Sequence, residues 1–578
     1  MQMTKLAAVA LLGLAGCVTP IPQVAPSPVE VKIIAFNDFH GNLEPPRQSV
    51  EAAGVKVPAG GLAYLASAVD SLRSGSPNNV VVSAGDMIGA SPLVSAAFLD
   101  EPTIAGMNLM GIDFNAVGNH EFDRGRAELL RMQKGGCEKH TALQPCQVEP
   151  FTGARFNFLA ANTLTESGAP LLPAYGMRSF GSGVSEVRVG FIGMTLKGTP
   201  TVTSPSGVAG LTFADEADTA NALIPKLRAE GADAIVVLIH QGASVKPGSG
   251  KECEGLEGDL LPILDRLDPA VDLVISGHTH KAYVCDYGRF NSARPFLLTS
   301  AGSQGTMLTD ITLRIDPVAG RVVAKSADNL IVQSEAYRGS SGEVPLTASL
   351  PRFQPKAEVS ALVARYAAAA AEFANRVVGR LTGPALRAQT PSREQALGNL
   401  IADAQLAATR AQQAGGSQIA FMNPGGVRSD IVPGADGTVT YGQIFAAQPF
   451  GNSLIVKSFT GRQVRALLEQ QFSGPKGIES PVVLLPSSTF RYGYDLSKPA
   501  GQRIVQPLVE GKPLLDDAVY RVTMNSFLAS GGDNFTVFRE GTDQVGGAQD
   551  IDVLESYIRS ASPLTPPATN RIADLTPR

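Results

Sequence analysis

Five short stretches of this chain place side chains that can bind metal ions or transfer protons at the end of an apolar run. They are Asp38 with His40, Asp86, Asn119 with His120 and Asp123, His240, and His278 with His280. Of the 6 histidines, only His140 lies outside these stretches. One histidine or aspartate after a strand is more often a turn residue than a ligand, but the conjunction of all these stretches indicates a metal site. The set contains no cysteine, which favours a hydrolytic site of the Zn, Mn or Fe type over a structural zinc site.

The spacing within the stretches suggests how ligands are shared. Asp38 and His40 are separated by one residue, so an extended backbone would point both side chains to the same side. His278 and His280 repeat that spacing. Asp86 follows a glycine turn and supplies a carboxylate, the group best suited to bridge two cations roughly 3.5–4 Å apart. We therefore predict a site for two divalent metal ions, Zn, Mn or similar.

The stretch around Asn119 adds candidate catalytic groups to the ligands. Asn119 offers a neutral oxygen ligand, and His240 offers an imidazole at the end of its strand. His120 is a candidate general acid or transition-state cation whose imidazole Asp123 could fix, and the alternative is a local turn-stabilising pair. A two-metal site with such a histidine is suited to phosphoester hydrolysis by a metal-activated water.

Between residues 31 and about 330, short β-branched runs alternate with helical stretches. The runs are residues 31–36, 80–82, 187–192, 235–239 and 273–275, and residues 114–117 lead to Asn119. Near-continuous apolar runs predict strands that are buried on both faces, and hence an α/β layered domain. In such domains ligands gather beyond the carboxyl ends of the strands, where the candidate ligands lie.

The C-terminal third carries three Gly-rich loops with candidate substrate-binding residues. The loops are residues 422–428, 448–452 and 525–533, and the candidates are Asn423, Arg428, Phe450, Asn452, Phe527 and Asp533. The chain has no Trp, and the two Phe rings could sandwich a purine or pyrimidine base. Asp533 could accept from ribose hydroxyls, and Arg428 could pair with phosphate. Either Asn423 or Asn452 could meet the base edge. The alternative is that both Phe side chains are core residues and the loops are plain turns.

The N-terminus predicts export. Lys5, an apolar stretch over residues 6–14 and a small-residue cleavage site form a signal peptide, and Leu14-Ala-Gly-Cys17 resembles a bacterial lipobox. We expect a lipid on Cys17 and attachment to the outer membrane of a Gram-negative bacterium, facing the periplasm or the surface. An ordinary cleaved signal peptide with an incidental cysteine is the alternative.

The remaining cysteines agree with an oxidising compartment. Cys137, Cys146, Cys253 and Cys285 are an even number, which predicts two disulfides in an exported protein. Three pairings are possible, and we favour Cys137 with Cys146 and Cys253 with Cys285. A protein that binds a nucleic acid polymer needs a basic surface, whereas this chain has a net charge of −5. We therefore expect no nucleic acid polymer as a partner.

These patterns divide the chain into five segments. They are residues 1–17, a signal peptide with lipobox; 18–30, a Pro-rich tether; 31–337, the dimetal domain; 338–378, a linker and connecting helix; and 379–570, a nucleotide-binding domain. In the connecting helix, one face is predicted to carry Val359, Leu362, Val363, Tyr366 and Phe373. Because the metal ligands and the base-binding groups lie in different domains, we expect hinge motion near residues 351–376.

The motifs together resemble a known family. D-x-H, G-D, G-N-H-E, a lone His and G-H-x-H occur in the order of the calcineurin-like metallophosphoesterases. With His-Glu-Phe-Asp123 and the C-terminal loops, residues 31 to about 563 resemble the 5′-nucleotidase family. The resemblance implies an α/β fold, with a layered α/β/β/α metallophosphoesterase sandwich joined by a linker helix to a second α+β substrate-binding domain.

Residue roles follow from the same resemblance. It implies one ion held by Asp38, His40, Asp86 and His280 and the other held by Asp86, Asn119, His240 and His278. It also implies that His120 stabilises charge developing on the phosphoryl group while Asp123 orients this histidine and keeps it cationic. Some bacterial members have Gln where this chain has His280, so the resemblance does not extend to their metal preference at the first position.

The implied activity is hydrolysis of nucleoside 5′-monophosphates, with 5′-di- and triphosphates or UDP-sugars as further substrates. One alternative is the 2′,3′-cyclic-nucleotide 2′-phosphodiesterase/3′-nucleotidase branch, which has Asn where this chain has Asp123. A thiosulfohydrolase relative and a non-catalytic surface lipoprotein that binds nucleotide or metal are further alternatives.

Overall fold

The computed structural model describes residues 26–577 except positions 48, 53, 142, 204–206, 247–249, 340–341 and 474–476. The predicted signal peptide, Cys17 and the tether up to residue 25 lie outside the described residues. The first strand begins at Val29, so the last two residues of the predicted tether are part of the first domain. Among the described helices, none combines the length and the apolar composition needed to cross a bilayer.

The first domain and the segment after it contain eighteen strands and eight α-helices in the described residues. The strands are β1 (Val29–Phe36), β2 (Ser49–Ala52), β3 (Val55–Pro58), β4 (Asn79–Ser83), β5 (Phe114–Ala116), β6 (Asn157–Leu159), β7 (Thr163–Leu164), β8 (Tyr175–Phe180), β9 (Val187–Thr195), β10 (Thr212–Phe213), β11 (Ala234–His240), β12 (Leu273–Ser276), β13 (Ala282–Asp286), β14 (Leu297–Ala301), β15 (Met307–Asp316), β16 (Arg321–Ile331), β17 (Tyr337–Gly339) and β18 (Gly342–Val344). The helices are α1 (Leu62–Ser74), α2 (Leu93–Ala96), α3 (Glu101–Met110), α4 (Arg126–Lys134), α5 (Thr199–Val202), α6 (Glu216–Ala229), α7 (Leu261–Leu264) and α8 (Ala357–Ala374).

Two six-stranded sheets pack face to face. Their strand orders are β16-β15-β1-β4-β5-β6 and β13-β14-β12-β11-β9-β8. Side chains alternate along β1, so Val31 and Ile33 enter the core between the sheets while Ile34 enters the core under α1 and α3. On the second sheet, Val236 faces the inter-sheet core and Val237 faces the core under α6 and α7. The predicted α/β/β/α sandwich is therefore confirmed, and the predicted apolar runs are its central strands.

Helix α8 connects the two domains but packs on the first. Val359, Leu362 and Tyr366 are buried against α1, α2 and α3. Phe373, expected on the same face, is 56% exposed, because Ala370 is the last residue of α8 that the first domain covers. The segment before α8, which we expected to be a linker, contains the antiparallel strands β17 and β18. Helix α8 also contacts the helix Tyr441–Ala447 of the second domain, and the hinge near residues 351–376 stays a prediction.

The second domain contains eleven strands and five α-helices in the described residues. The strands are β19 (Val377–Arg380), β20 (Ile419–Met422), β21 (Thr438–Thr440), β22 (Ser453–Thr460), β23 (Leu485–Pro486), β24 (Phe490–Tyr494), β25 (Ile504–Val509), β26 (Lys512–Pro513), β27 (Val519–Asn525), β28 (Thr542–Gln549) and β29 (Ile572–Asp574). The helices are α9 (Ala396–Thr409), α10 (Tyr441–Ala447), α11 (Gly461–Glu469), α12 (Ser526–Ala529) and α13 (Asp550–Ser560).

A mixed sheet in the order β23-β20-β27-β22-β28 brings together the three Gly-rich loops that carry the candidate substrate-binding residues. β20 runs parallel to β27, and β22 runs antiparallel to both. The loops after β20 and β27 and the loop before β22 therefore meet at one end of the sheet. Strand β29 lies beyond residue 570 and pairs with β24, so this domain extends further than predicted.

Both disulfides favoured from the sequence are present. Cys137 pairs with Cys146, and Cys253 pairs with Cys285. The second one links the segment after His240 to β13, which follows His280. It therefore covalently ties together the two segments that carry these candidate ligands.

Candidate active site

The predicted metal ligands meet where the strands of both sheets end. Two groups of side chains each bring their ligand atoms within 4.8 Å of one another. The first group is Asp38, His40 and His280, and the second is Asp86, His240 and His278. Asp86 reaches both groups, because its Oδ2 lies 3.8 Å from His40 Nε2 and 2.9 Å from His240 Nε2. Asn119 joins the second group, with its Oδ1 3.0 Å from Nδ1 of His278.

The backbone at these ligands differs from the extended conformation that we expected. Asp38 and His40 have φ angles of 50° and 48°, and His278 and His280 have 68° and 58°. Non-glycine residues rarely adopt positive φ, and such residues cluster at functional sites. The two pairs share one backbone conformation, as predicted, but its φ angles lie in the left-handed region. The reason is that each strand ends before its pair and is followed by a tight turn.

Glycines in the motifs allow the ligand loops to approach closely. A Cβ on Gly118 would lie 2.2 Å from Asp86 Oδ1, and a Cβ on Gly85 would lie 2.6 Å from His240 Nδ1. Any side chain at either position would displace a candidate ligand. The glycines before Asn119 and Asp86 are therefore required by packing.

The donor set fits divalent cations. Nδ1 of His40 is 2.9 Å from the Gly89 carbonyl oxygen, and Nδ1 of His240 is 2.8 Å from that of Ala84, which leaves Nε2 of each ring facing the site. His240 Nε2 is buried without a hydrogen-bond partner of acceptable geometry, although Asp86 is close. Burial, with a further contribution from the charge of His240, lowers the pKa of His278 to about 3, whereas the charge of Asp86 raises the pKa of His240 to about 10 against the effect of burial. Metal binding requires both rings to be neutral, so it would have to displace a proton from His240. Buried imidazoles and carboxylates of this kind suit Zn or Mn.

Two supporting residues were not predicted from the sequence. The carboxylate of Glu121 accepts hydrogen bonds from the backbone N–H groups of Asp86, Met87 and Gly118, at 3.0, 2.8 and 2.7 Å. Burial raises the pKa of Glu121 to about 7, with a further contribution from the charge of Asp86. Asn37 donates through Nδ2 to Asp38 Oδ2 at 2.6 Å. The position of Glu121 inside the His-Glu-Phe-Asp motif was the available signal.

His120 and Asp123 form a hydrogen-bonded pair beside the ligands. His120 Nδ1 lies 2.8 Å from Asp123 Oδ2. Burial would lower the pKa of His120, but the charges of Asp123 and Asp86 and the hydrogen bond outweigh it and raise this pKa. The Thr203 hydroxyl lies 3.2 Å from Asp123 Oδ1 and 3.0 Å from the Asn119 carbonyl oxygen, and can donate to either. The geometry therefore favours a cationic imidazole.

The second domain closes over this pair. The ring of Phe450 stacks on the imidazole of His120, with centroids 5.6 Å apart and planes 17° apart. The guanidinium of Arg428 lies 5.8 Å from the centroid of the Phe450 ring. Arg428 lines the same cavity as His120, and its charge lowers the pKa of both His40 and His120.

One cavity of about 1200 Å³ joins the two domains. Its lining includes Asn119, His120, Asp123 and His278 from the first domain and all six predicted substrate-binding residues from the second. Phe527 packs partly against the core of the second domain and also lines the cavity, and its role in binding a base stays a prediction.

Hydrogen bonds organise the polar substrate-binding candidates. Asn423 Nδ2 donates to Asp533 Oδ2 at 2.8 Å, and Ser526 Oγ donates to Asn452 Oδ1 at 3.1 Å. Burial raises the pKa of Asp533 to about 6, although the hydrogen bond from Asn423 opposes this shift. Asp533 is thus mostly ionised at neutral pH and is able to accept further hydrogen bonds.

Comparisons with known proteins agree with this architecture. The family model described as calcineurin-like phosphoesterase matches residues 31–282, and the one described as 5′-nucleotidase, C-terminal domain, matches residues 377–540. The crystal structure of the 5′-nucleotidase precursor from Thermus thermophilus is similar to this chain with a TM-score of 0.73 and 26% identity, and the match covers 95% of this chain and 99% of that one.

Curated relatives align with most of this chain. The 5′-nucleotidase of Bos taurus is 25% identical over 571 residues, which cover 95% of this chain and 91% of the relative. Endonuclease YhcR of Bacillus subtilis (strain 168) is 28% identical over 544 residues, which cover 93% of this chain but only 40% of the relative. With both family models matched in order and the site assembled between them, the chain belongs to the 5′-nucleotidase family of calcineurin-like phosphoesterases, which are hydrolases.

Proposed function

We propose that this protein is an exported dimetal phosphohydrolase that removes phosphate from nucleoside 5′-phosphates. The observation that carries the proposal is the shared cavity, in which the candidate metal and catalytic residues face two Phe side chains and an Asp–Asn pair. A phosphate at the metal ligands and a nucleoside at the loops would each meet groups of matching chemistry.

The metal-binding roles follow the two groups of ligand atoms. Asp38, His40 and His280 would hold one ion, Asn119, His240 and His278 the other, and Asp86 both. When bound, two divalent ions supply an activated water and offset phosphoryl charge. Glu121 would keep Asp86 in place through the backbone N–H groups that it accepts.

His120 and Arg428 would act on the phosphoryl group directly. His120 faces the ligands as a cation held by Asp123, so it can stabilise charge that develops during phosphoryl transfer. Arg428, brought over the same region by the second domain, can pair with a phosphate oxygen. Both charges are in place only when the domains face each other.

Nucleoside recognition would use the second domain. Phe450 and Phe527 would stack on the base, Asp533 would accept from ribose hydroxyls, and Asn423 or Asn452 would meet the base edge. In the structure Phe450 stacks on His120 instead. A bound base would therefore have to replace His120 on that face of the Phe450 ring or share the face with it. UDP-sugars and nucleoside di- or triphosphates remain candidate substrates, since the cavity is larger than a mononucleotide phosphate site needs.

The alternatives differ at particular residues. Asp123, hydrogen-bonded to His120, favours the 5′-nucleotidase branch over the cyclic phosphodiesterase branch. The paired Phe side chains favour a nucleobase over thiosulfate, and the complete ligand set with its His–Asp pair argues against a purely binding lipoprotein. Export is supported by the two disulfides, whereas the lipid on Cys17 and the outer membrane are proposals from the sequence alone.

Phosphate release from AMP, UDP-glucose and cyclic AMP tests the function. Purified protein treated with EDTA is expected to be inactive, and adding back Mn²⁺ or Zn²⁺ is expected to restore release from AMP. Release from AMP in the presence of EDTA would contradict the metal requirement. Release from none of the three substrates in any metal would favour the binding-protein alternative.

Replacing Phe527 with alanine is expected to weaken nucleotide binding. Stacking contributes about 1–3 kcal/mol per base, so KM for AMP should rise roughly 5- to 150-fold. Steady-state kinetics with AMP and with p-nitrophenyl phosphate measure the effect, because the aryl phosphate has no base or ribose. An equal loss with both substrates would show that Phe527 serves the core of the domain instead.

A further inference from the structure

Asn525 occupies the junction of two substrate loops. It is the last residue of β27 and is 1% exposed, although it borders the cavity. Burying a primary amide is unfavourable unless its polar atoms are paired. The partners of Asn525 therefore indicate what this residue holds in place.

The carbonyl oxygen of the Asn525 side chain holds the loop that carries Phe527. Oδ1 accepts a hydrogen bond from the backbone N–H of Leu528 at 2.8 Å and so caps α12. Phe527 lies inside this short helix, between the capping residue and its partner. The direction of the Phe527 ring thus depends on the cap.

The amide nitrogen of Asn525 reaches the other loop. Nδ2 donates to Asn423 Oδ1 at 3.0 Å, and Asn423 Nδ2 in turn donates to Asp533 Oδ2 at 2.8 Å. Nδ2 also lies 3.7 Å from the sulfur of Met422. Because Asn525 supplies a donor to Oδ1 of Asn423, the NH₂ group of Asn423 must point towards Asp533.

We propose that Asn525 is a positioning residue that holds Phe527, Asn423 and Asp533 in one arrangement for the nucleoside half of the substrate. The inference rests on the proposed function, since it assigns these three residues to base and ribose. It assigns no contact between Asn525 and the reacting phosphoryl group. Loss of the Nδ2 donor would leave the Asn423 amide free to rotate and would loosen its hold on Asp533.

The variant Asn525→Ser separates the two halves of this role. Serine is a good N-cap, so the cap of α12 is retained while the donor to Asn423 is lost. The ratio of kcat/KM for AMP to that for p-nitrophenyl phosphate is expected to fall on the order of tenfold, mainly through KM for AMP. Asn399→Ser is the control, because Asn399 is an equally buried asparagine of the same domain whose Nδ2 binds Glu394.

Hydrogen exchange of the ligand-free protein gives a readout that does not depend on the substrate. Asn525→Ser should lose amide protection in residues 423–428, whereas Asn399→Ser should keep it there. Wild-type protection in that loop, or an equal fall in both kcat/KM values, would overturn the inference. If the wild-type protein releases no phosphate from any nucleotide, the proposed function fails, and the exchange result still decides whether Asn525 holds the two loops together.

Discussion

Asp86→Ala is expected to lose both metal ions and to reduce turnover of AMP to background. The Oδ2 of Asp86 approaches imidazoles of both ligand groups, at 3.8 Å from His40 Nε2 and 2.9 Å from His240 Nε2. Without it, the two clusters of imidazoles would face each other with Asp38 as the remaining carboxylate ligand. Because bound metal contributes several kcal/mol to phosphoryl transfer, we expect a loss of at least about 10³-fold in kcat. Metal analysis of dialysed protein and steady-state kinetics measure the two effects.

The control for metal binding by Asp86→Ala is Asp550→Ala, and turnover is left out of this comparison because Asp550 interacts with the side chain of Asn452. Asp550 is a carboxylate of the second domain that is 3% exposed, so its removal also empties a buried site but leaves the metal ligands intact. A metal ion that binds only the folded state raises the melting temperature. Added Mn²⁺ should therefore raise the Tm of wild type and Asp550→Ala, but not that of Asp86→Ala. Two metal equivalents retained by Asp86→Ala would refute the bridging role.

The layered fold and the location of the ligands could be predicted from the sequence because strand burial leaves a simple pattern. Runs such as residues 235–239 are apolar on both faces, and β11 fills both the inter-sheet core and the outer core with alternating side chains. A polar residue that ends such a run, as His240 does, lies at the carboxyl-terminal end of its strand. Because each motif follows the carboxyl-terminal end of a strand, the candidate ligands are expected to gather at that end of the sheets.

The local backbone could not be predicted in the same way. Spacing alone suggested an extended pair at Asp38 and His40, but the structure has a φ angle near 50° at both. Such conformations are unfavourable for non-glycine residues and persist only when tertiary contacts hold them. Here the N–H groups of Asp38 and His40 donate to the carbonyl oxygens of Gly85 and Asp86, so a second loop fixes the first.

Contacts between elements that are distant in the sequence could not be predicted from the sequence pattern either. Glu121 lies in a recognised motif, yet its three backbone partners are known only once the Asp86 loop is placed beside it. Likewise, the apolar stripe of α8 predicts a buried face without showing that the first domain covers it. The stack of Phe450 on His120 depends on the relative placement of the two domains, for which local sequence carries no signal.

His120→Ala is expected to reduce kcat by about 10²–10³-fold while both metal ions remain bound. The imidazole lies beside the ligands and is held as a cation by Asp123, so its removal takes away charge stabilisation without removing a ligand. Metal content and kcat for AMP are measured on the same samples. His140→Ala is the matched control, because His140 is exposed and lies outside the motifs. Metal loss equal to that of Asp86→Ala would show that His120 binds metal and would contradict its separate role in charge stabilisation.

Asp123→Asn tests the same cation by its pH dependence. Asp123 raises the pKa of His120, so activity that requires the protonated imidazole is retained below this pKa and is lost as pH rises through it. Replacing the carboxylate with an amide removes the charge and lowers the pKa of His120. The alkaline limb of the kcat profile should therefore move to lower pH in Asp123→Asn, while metal content stays constant. An unmoved alkaline limb would assign that limb to another group and would leave His120 without its role as a cation.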